Sequence, residues 1–210
     1  MDNAIDGTRR DWKVLLIGGP SGVGKTIAAQ HLARSLGISW AQADDFRLVL
    51  ERETSPATHP GLHFFVATPD VWRLTPEKLR DGFIATGQSG SHALEIVVAN
   101  HVATNAPIVL EGDGLLPAMA AQRVFAGLDV GNSVRAVFIH EPDENFVFAN
   151  MHKRGRGFHD REKAEQLVQT HAAWLYGQWL ADEARRYRLP VLEPRPWETL
   201  VERILAVVGR

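Results

Sequence analysis

Gly19-Pro20-Ser21-Gly22-Val23-Gly24-Lys25-Thr26 reads G-x-x-x-x-G-K-T in full, between stretches of different periodicity. Before it, Val14-Leu15-Leu16-Ile17 is a continuous apolar run ending in Gly18-Gly19, the pattern of a strand buried on both faces. After it, Ile27, Ala28, Leu32, Ala33 and Leu36 recur at helical spacing, and Gly37 is placed to end that helix. Strand, glycine loop and helix in this order predict a backbone cradle for phosphate. The glycines let successive N–H groups turn inward, and the helix N-terminus adds positive dipole. Lys25 then supplies a point charge to the β- and γ-phosphates of a nucleoside triphosphate, and the Thr26 hydroxyl can ligate Mg²⁺. The expected cradle is therefore Gly19, Ser21, Gly22, Val23, Gly24, Lys25 and Thr26. No other signal in the chain is as specific.

Working outward, a second short strand (38–43) runs into Asp44-Asp45, and residues 54–62 (TSPATHPGL) read as loop. Thr75-Pro76 is a hydroxyl cap followed by Pro at the first helical position. The helix it starts should end near Gly87, with another from about Ser91 to Thr104. Pro107 to Gly112 and Val134 to His140 are further buried strands. A long helix is expected over roughly 160–187, a short fifth strand over 190–193, and an amphipathic helix over 197–208. Strands separated by helices, without hairpin signals, predict an α/β architecture with a mainly parallel sheet and helices on both faces.

Acidic residues gather where such a sheet binds ligands, at its carboxyl edge. Asp44 or Asp45 can accept a hydroxyl proton or hold Mg²⁺ through water, while either is also a good helix cap. Glu111 and Asp113 flank Gly112 at the tip of the third strand. They could steer Mg²⁺ or contact acceptor hydroxyls, and Asp113 could equally bond its own turn. Lys153-Arg154-Gly155-Arg156-Gly157-Phe158-His159 is basic and broken by glycines, the composition of a flap that closes over phosphates. Arg154 and Arg156 are its expected catalytic cations.

Together these features resemble the P-loop kinases of the nucleoside-monophosphate-kinase-like fold. The segment from Ile108 to Pro117 (IVLEGDGLLP) is similar to the strand-glycine-Pro segment of 2-phosphoglycerate-kinase-like proteins. The resemblance implies a P-loop NTPase domain over 1–210, with five strands and a small lid near 153–160. It implies that Asp44 faces a phosphoryl acceptor, that Arg47, three positions on, binds it, and that Arg195 in the Pro-rich segment after the last strand meets adenine. The catalytic set expected from it is Lys25, Asp44, Asp45, Arg154 and Arg156. The activity implied is transfer of the γ-phosphate of ATP, with Mg²⁺, to a hydroxyl of a small molecule. Adenylate kinases carry Asp-Gly-x-x-Arg where this chain has Glu111-Gly112-Asp113-Gly114, which counts against nucleoside monophosphate acceptors. A nucleoside or nucleotide kinase, and a nucleotide-dependent regulatory or nucleic-acid-associated ATPase, remain the alternatives.

Composition narrows these options. With 45% apolar and 23% charged residues the chain has the balance of a folded domain. It contains no Cys, which removes thiol catalysis and zinc ribbons and suits a reducing, cytoplasmic setting. A net charge of -2 gives no electrostatic case for binding nucleic acid. The apolar run at Val14 is too short to span a membrane. The expected partner is a small-molecule acceptor, bound by a monomer or homodimer.

Overall fold

The computed structural model describes residues 10–155 and 157–209. In chain order the elements are β1 (Val14–Gly18), α1 (Lys25–Leu36), β2 (Ser39–Gln42), α2 (Ala43–Glu53), α3 (Phe64–Ala67) and α4 (Pro76–Ala103). There follow β3 (Ile108–Gly112), α5 (Pro117–Ala120), β4 (Val124–Phe125), β5 (Leu128–Asp129) and β6 (Val134–Ile139). The chain then forms α6 (Glu144–Arg154), α7 (Lys163–Arg186), β7 (Val191–Leu192) and α8 (Leu200–Val208), with 3-10 turns at Val71–Arg73 and Trp197–Thr199. Five strands form one parallel sheet in the order β2-β3-β1-β6-β7.

Period-two alternation along β1 divides the core. Val14 and Leu16 face a layer built with α4 and α7, where Leu94, Val98, Tyr176 and Leu180 are buried. Leu15 and Ile17 face the other layer, where they meet Ala28 and Leu32 of α1 and Ile204 of α8. Each such fully buried side chain contributes about 1.5–3 kcal/mol. The first strand is thus apolar throughout because helices cover both its faces. No helix among the described residues is long and apolar enough to cross a membrane.

Four local expectations are corrected. The helix after Thr75 does not stop at Gly87 but continues to Ala103 as α4. Its glycines serve close packing, since a Cβ on Gly82 would lie 2.2 Å from the Phe64 ring and one on Gly87 2.9 Å from Leu116. Tertiary contact therefore outweighs the low helix propensity of glycine. A small antiparallel hairpin, β4 with β5, also appears. It turns through Ala126 and Gly127, both at positive φ, and Ala is not a residue that advertises such a turn. Ile27, expected on the buried stripe of α1, is 63% exposed. Finally, β2 ends at Gln42, so Asp44 and Asp45 occupy the first turn of α2 rather than a strand end.

Candidate active site

Parallel register brings the carboxyl ends of three strands together. Gly18 pairs with Gly112 and Gln42 with Glu111, so the loop after β1, residues 111–113 and the start of α2 share one edge. The glycine loop feeds α1 through Gly24, at φ +82°. A Cβ there would lie 2.2 Å from the Trp197 ring, so this position needs glycine for both its conformation and its space. No side chain caps α1 and no acidic residue sits in its first turn. Its first amides therefore have no side-chain partner from the cap or the first turn, the arrangement in which a helix N-terminus can receive an anion. Val23 is fully buried in the core, so its side chain faces the α1–α8 layer.

The cradle's side chains are already engaged. Lys25 is 5% exposed, and its Nζ donates to Asp113 Oδ1 at 2.6 Å and to the Pro20 carbonyl at 2.8 Å. Ser21 Oγ donates to the other Asp113 oxygen at 2.7 Å, and Thr26 Oγ1 donates to Glu111 Oε1 at 2.8 Å. The buried Tyr176 hydroxyl donates to the Asp113 carbonyl at 2.6 Å. Asp113 thus bonds the loop rather than its own turn. Burial alone would raise its pKa, but the Lys25 ammonium and the Lys25 and Ser21 hydrogen bonds hold it below the ordinary value. Burial raises Glu111, against the opposing Lys25 charge and Thr26 bond. Thr26, Glu111 and Asp113 offer hard oxygen donors, which suits Mg²⁺. Among the described residues, no three His, Asp or Glu side chains are grouped to hold a metal ion.

Gln42 is the N-cap of α2 and makes no side-chain cap bond, so neither aspartate serves as the cap. Asp45 is exposed. Asp44 lines a cleft of about 210 Å³ with Ser21, Met151, Arg154, Phe158 and Gln169. Burial and the neighbouring Asp113 raise its pKa, against Arg47, Lys25 and Arg154. Arg47 lies 3.8 Å from Asp44 and pairs with Glu51. Asp44 also lines a tight cavity of about 20 Å³ between α2 and α4, with Phe46, Arg47, Thr86, Gly87 and Gly114.

Helix α6 lies across the loop, with Asn150 Nδ2 donating to the Gly22 carbonyl at 2.9 Å. This contact carries Arg154, in the last turn, to the cleft. Arg156 lies outside the described residues. Phe158 is 3% exposed, packed with Val147, Met151 and Ala173, and so anchors the basic segment. Arg161 adds a brace: it donates to the Gly157 carbonyl at 3.1 Å and to Gln169 at 3.0 Å, while its guanidinium lies 4.2 Å from the Trp72 ring centre.

Arg195 pairs with the buried Glu141 through two bonds of 3.0 and 2.8 Å, and lies 3.8 Å over the Phe146 ring. It is therefore held as a plane beside the loop. Glu141, Phe146, Asn150, Tyr176 and Trp197 escape sequence reasoning because their partners are more than forty residues away or across the sheet. Only Glu141, directly after a buried strand, sits where a site residue would be sought.

The chain matches no family model. It is 30% identical over 139 residues to a tRNA dimethylallyltransferase of Syntrophobacter fumaroxidans, covering 64% of this chain and 38% of that protein. It is 24% identical over 198 residues to a 2-phosphoglycerate kinase of Pyrococcus furiosus, covering 91% and 62%. The chain thus spans less than two thirds of the length of these curated relatives. Among solved structures, a sugar kinase from Janibacter sp. superposes with TM-score 0.54 at 19% identity, over 94% of both chains. A shikimate kinase from Acinetobacter baumannii, in complex with shikimate, does so with TM-score 0.52 at 19% identity, over 94% of this chain and 93% of that one. A gluconokinase from Sinorhizobium meliloti gives TM-score 0.53 at 16% identity, over 95% and 93%. At these identities they establish the architecture: the chain has the P-loop kinase-like fold.

Proposed function

We propose that the protein is a cytoplasmic kinase that transfers the γ-phosphate of ATP to a hydroxyl of a small molecule. One observation carries this reading. A complete phosphate cradle, with its lysine buried and its helix uncapped, opens onto a cleft bordered by a half-buried carboxylate and an arginine. Lys25 and the loop amides would hold the phosphates, and Arg195 would face the base. Thr26 and Glu111 would hold Mg²⁺, which offsets charge on the phosphates.

The acceptor would sit at Asp44 and Arg47, in the direction of the cavity between α2 and α4. As its oxygen bonds to the γ-phosphorus and the bond to ADP breaks, its proton passes to Asp44. The raised pKa of Asp44 makes it a stronger base than an ordinary carboxylate. Arg154 would meet charge on the phosphoryl group during transfer, with the basic segment excluding water as a lid.

The likeness to 2-phosphoglycerate kinase and the folds shared with sugar and shikimate kinases support a hydroxylated small acceptor. The relative that is a tRNA dimethylallyltransferase supports a second reading, transfer onto RNA. The net charge of -2 weighs against it. Parallel incubations decide between them: γ-labelled ATP and Mg²⁺ with pools of phosphorylated acids, sugars or nucleosides, and a labelled dimethylallyl diphosphate with tRNA. Label in a small product is expected; label or stable binding only with tRNA would reverse the reading.

A further inference from the structure

We propose that Asp113 makes the phosphate cradle selective for metal-loaded nucleotide over the free triphosphate. The inference rests on the nucleotide reading above and concerns how the cradle balances its charge. Lys25 is almost wholly buried, and its ammonium is paired with one Asp113 oxygen at 2.6 Å. Ser21, the loop's own hydroxyl, is bound to the other oxygen at 2.7 Å. The two side-chain donors best placed to meet phosphate are therefore held by a single carboxylate. That carboxylate is itself steadied from α7 by Tyr176, through the 2.6 Å bond to its backbone carbonyl.

Phosphate entering the cradle must take Lys25 and Ser21 away from Asp113. A triphosphate without metal then leaves two anions competing for one buried cation, with Asp44 and Glu111 adding negative field nearby. A metal-loaded nucleotide brings a cation that the displaced carboxylate can face. Charge is balanced before and after binding only when the metal comes with the nucleotide. The direction of the mutant effect is therefore unusual: neutralising Asp113 should improve binding of metal-free ATP. A residue that merely ligated the metal, without holding Lys25, would change that affinity far less.

The test is calorimetric titration of wild type, Asp113→Asn and Glu111→Gln with ATP, in excess EDTA and in excess Mg²⁺. Asn keeps an oxygen to accept from Lys25, and its amide nitrogen can donate to a Ser21 hydroxyl that turns from donor to acceptor, so the cradle's contacts can be kept while the charge goes. Asp113→Asn should bind metal-free ATP about tenfold or more tighter than wild type, the effect of removing one like charge beside the phosphates. Its preference for the metal-loaded form should shrink correspondingly. Glu111→Gln, which touches Thr26 and not Lys25, should gain less than about threefold. Wild type should show the metal preference by itself, which keeps the inference refutable should Asp113→Asn not fold. Equal wild-type affinities with and without metal, or a folded Asp113→Asn with no gain in EDTA, overturn the inference alone. Absence of ATP binding by wild type in both conditions overturns the nucleotide reading with it.

Discussion

Lys25→Met should destabilise the fold near neutral pH, and the loss should fade in acid. Methionine fills the stem's space and removes the ammonium. Removing one partner of a buried pair costs about 3–5 kcal/mol. Here Asp113 keeps its Ser21 bond and its side chain is 27% exposed, so about 2–3 kcal/mol is expected. For a chain of this size that is a fall of roughly 4–12 °C in Tm. The sign with pH follows from Asp113, whose native pKa is depressed by Lys25. Its contribution is full above the unfolded-state value and is lost as pH falls through the native value. Wild type and variant should therefore converge as the carboxylate protonates. Thermal unfolding of both proteins at about pH 7.5 and at about pH 2.5, below the ordinary aspartate value, measures this. A loss below about 1 kcal/mol, or one independent of pH, would refute the pair as a structural element.

Asp44→Asn should lower phosphoryl transfer about 100- to 10,000-fold with little change in ATP affinity, while the exposed Asp45→Asn stays within about threefold. Equal small losses in both would remove the base assignment. With the acceptor found by label transfer, the wild-type rate should fall as pH drops through the raised pKa of Asp44, and a limb at the ordinary carboxylate value would contradict it. Arg154→Ala should reduce turnover at least tenfold while changing ATP affinity less than about threefold, since it acts on charge of the transition state. Matched losses in both quantities would make it a ground-state ligand. Gly24→Ala should weaken ATP binding at least tenfold, because the new methyl meets Trp197 at a backbone angle unsuited to alanine. Wild-type affinity in that variant would show that the ring can retreat.

What the sequence disclosed was local. The octapeptide, the apolar run before it and the periodic helix after it depend on residues within twenty positions, and strand, loop and helix follow in the expected order, with Ile27 alone leaving the buried stripe. Glu111 and Asp113 were legible as candidates because a strand end announces itself, and Asp44 because it closely follows one, although it lies in the first turn of α2. Their partners were not. Nothing in the order of residues ties Ser21 to Asp113, ninety-two positions away, or Tyr176 to the same residue's carbonyl. Gly87 of α4 was misread as punctuation because its reason, the close approach of Leu116, comes from another element. The hairpin at 124–129 was invisible because Ala126 takes a backbone angle that alanine rarely signals.

Phe158 has a kinetic consequence. The proposed lid is closed by an aromatic ring buried beneath it, and lifting the segment would expose that ring to water. Burial of one such side chain is worth about 1.5–3 kcal/mol, which favours the shut form about 10- to 150-fold. Under the kinase reading, nucleotide would enter and product leave during rare openings, and the apparent association rate would be reduced by the same fraction. A residue that never meets the substrate would in this way act as the timer of the catalytic cycle.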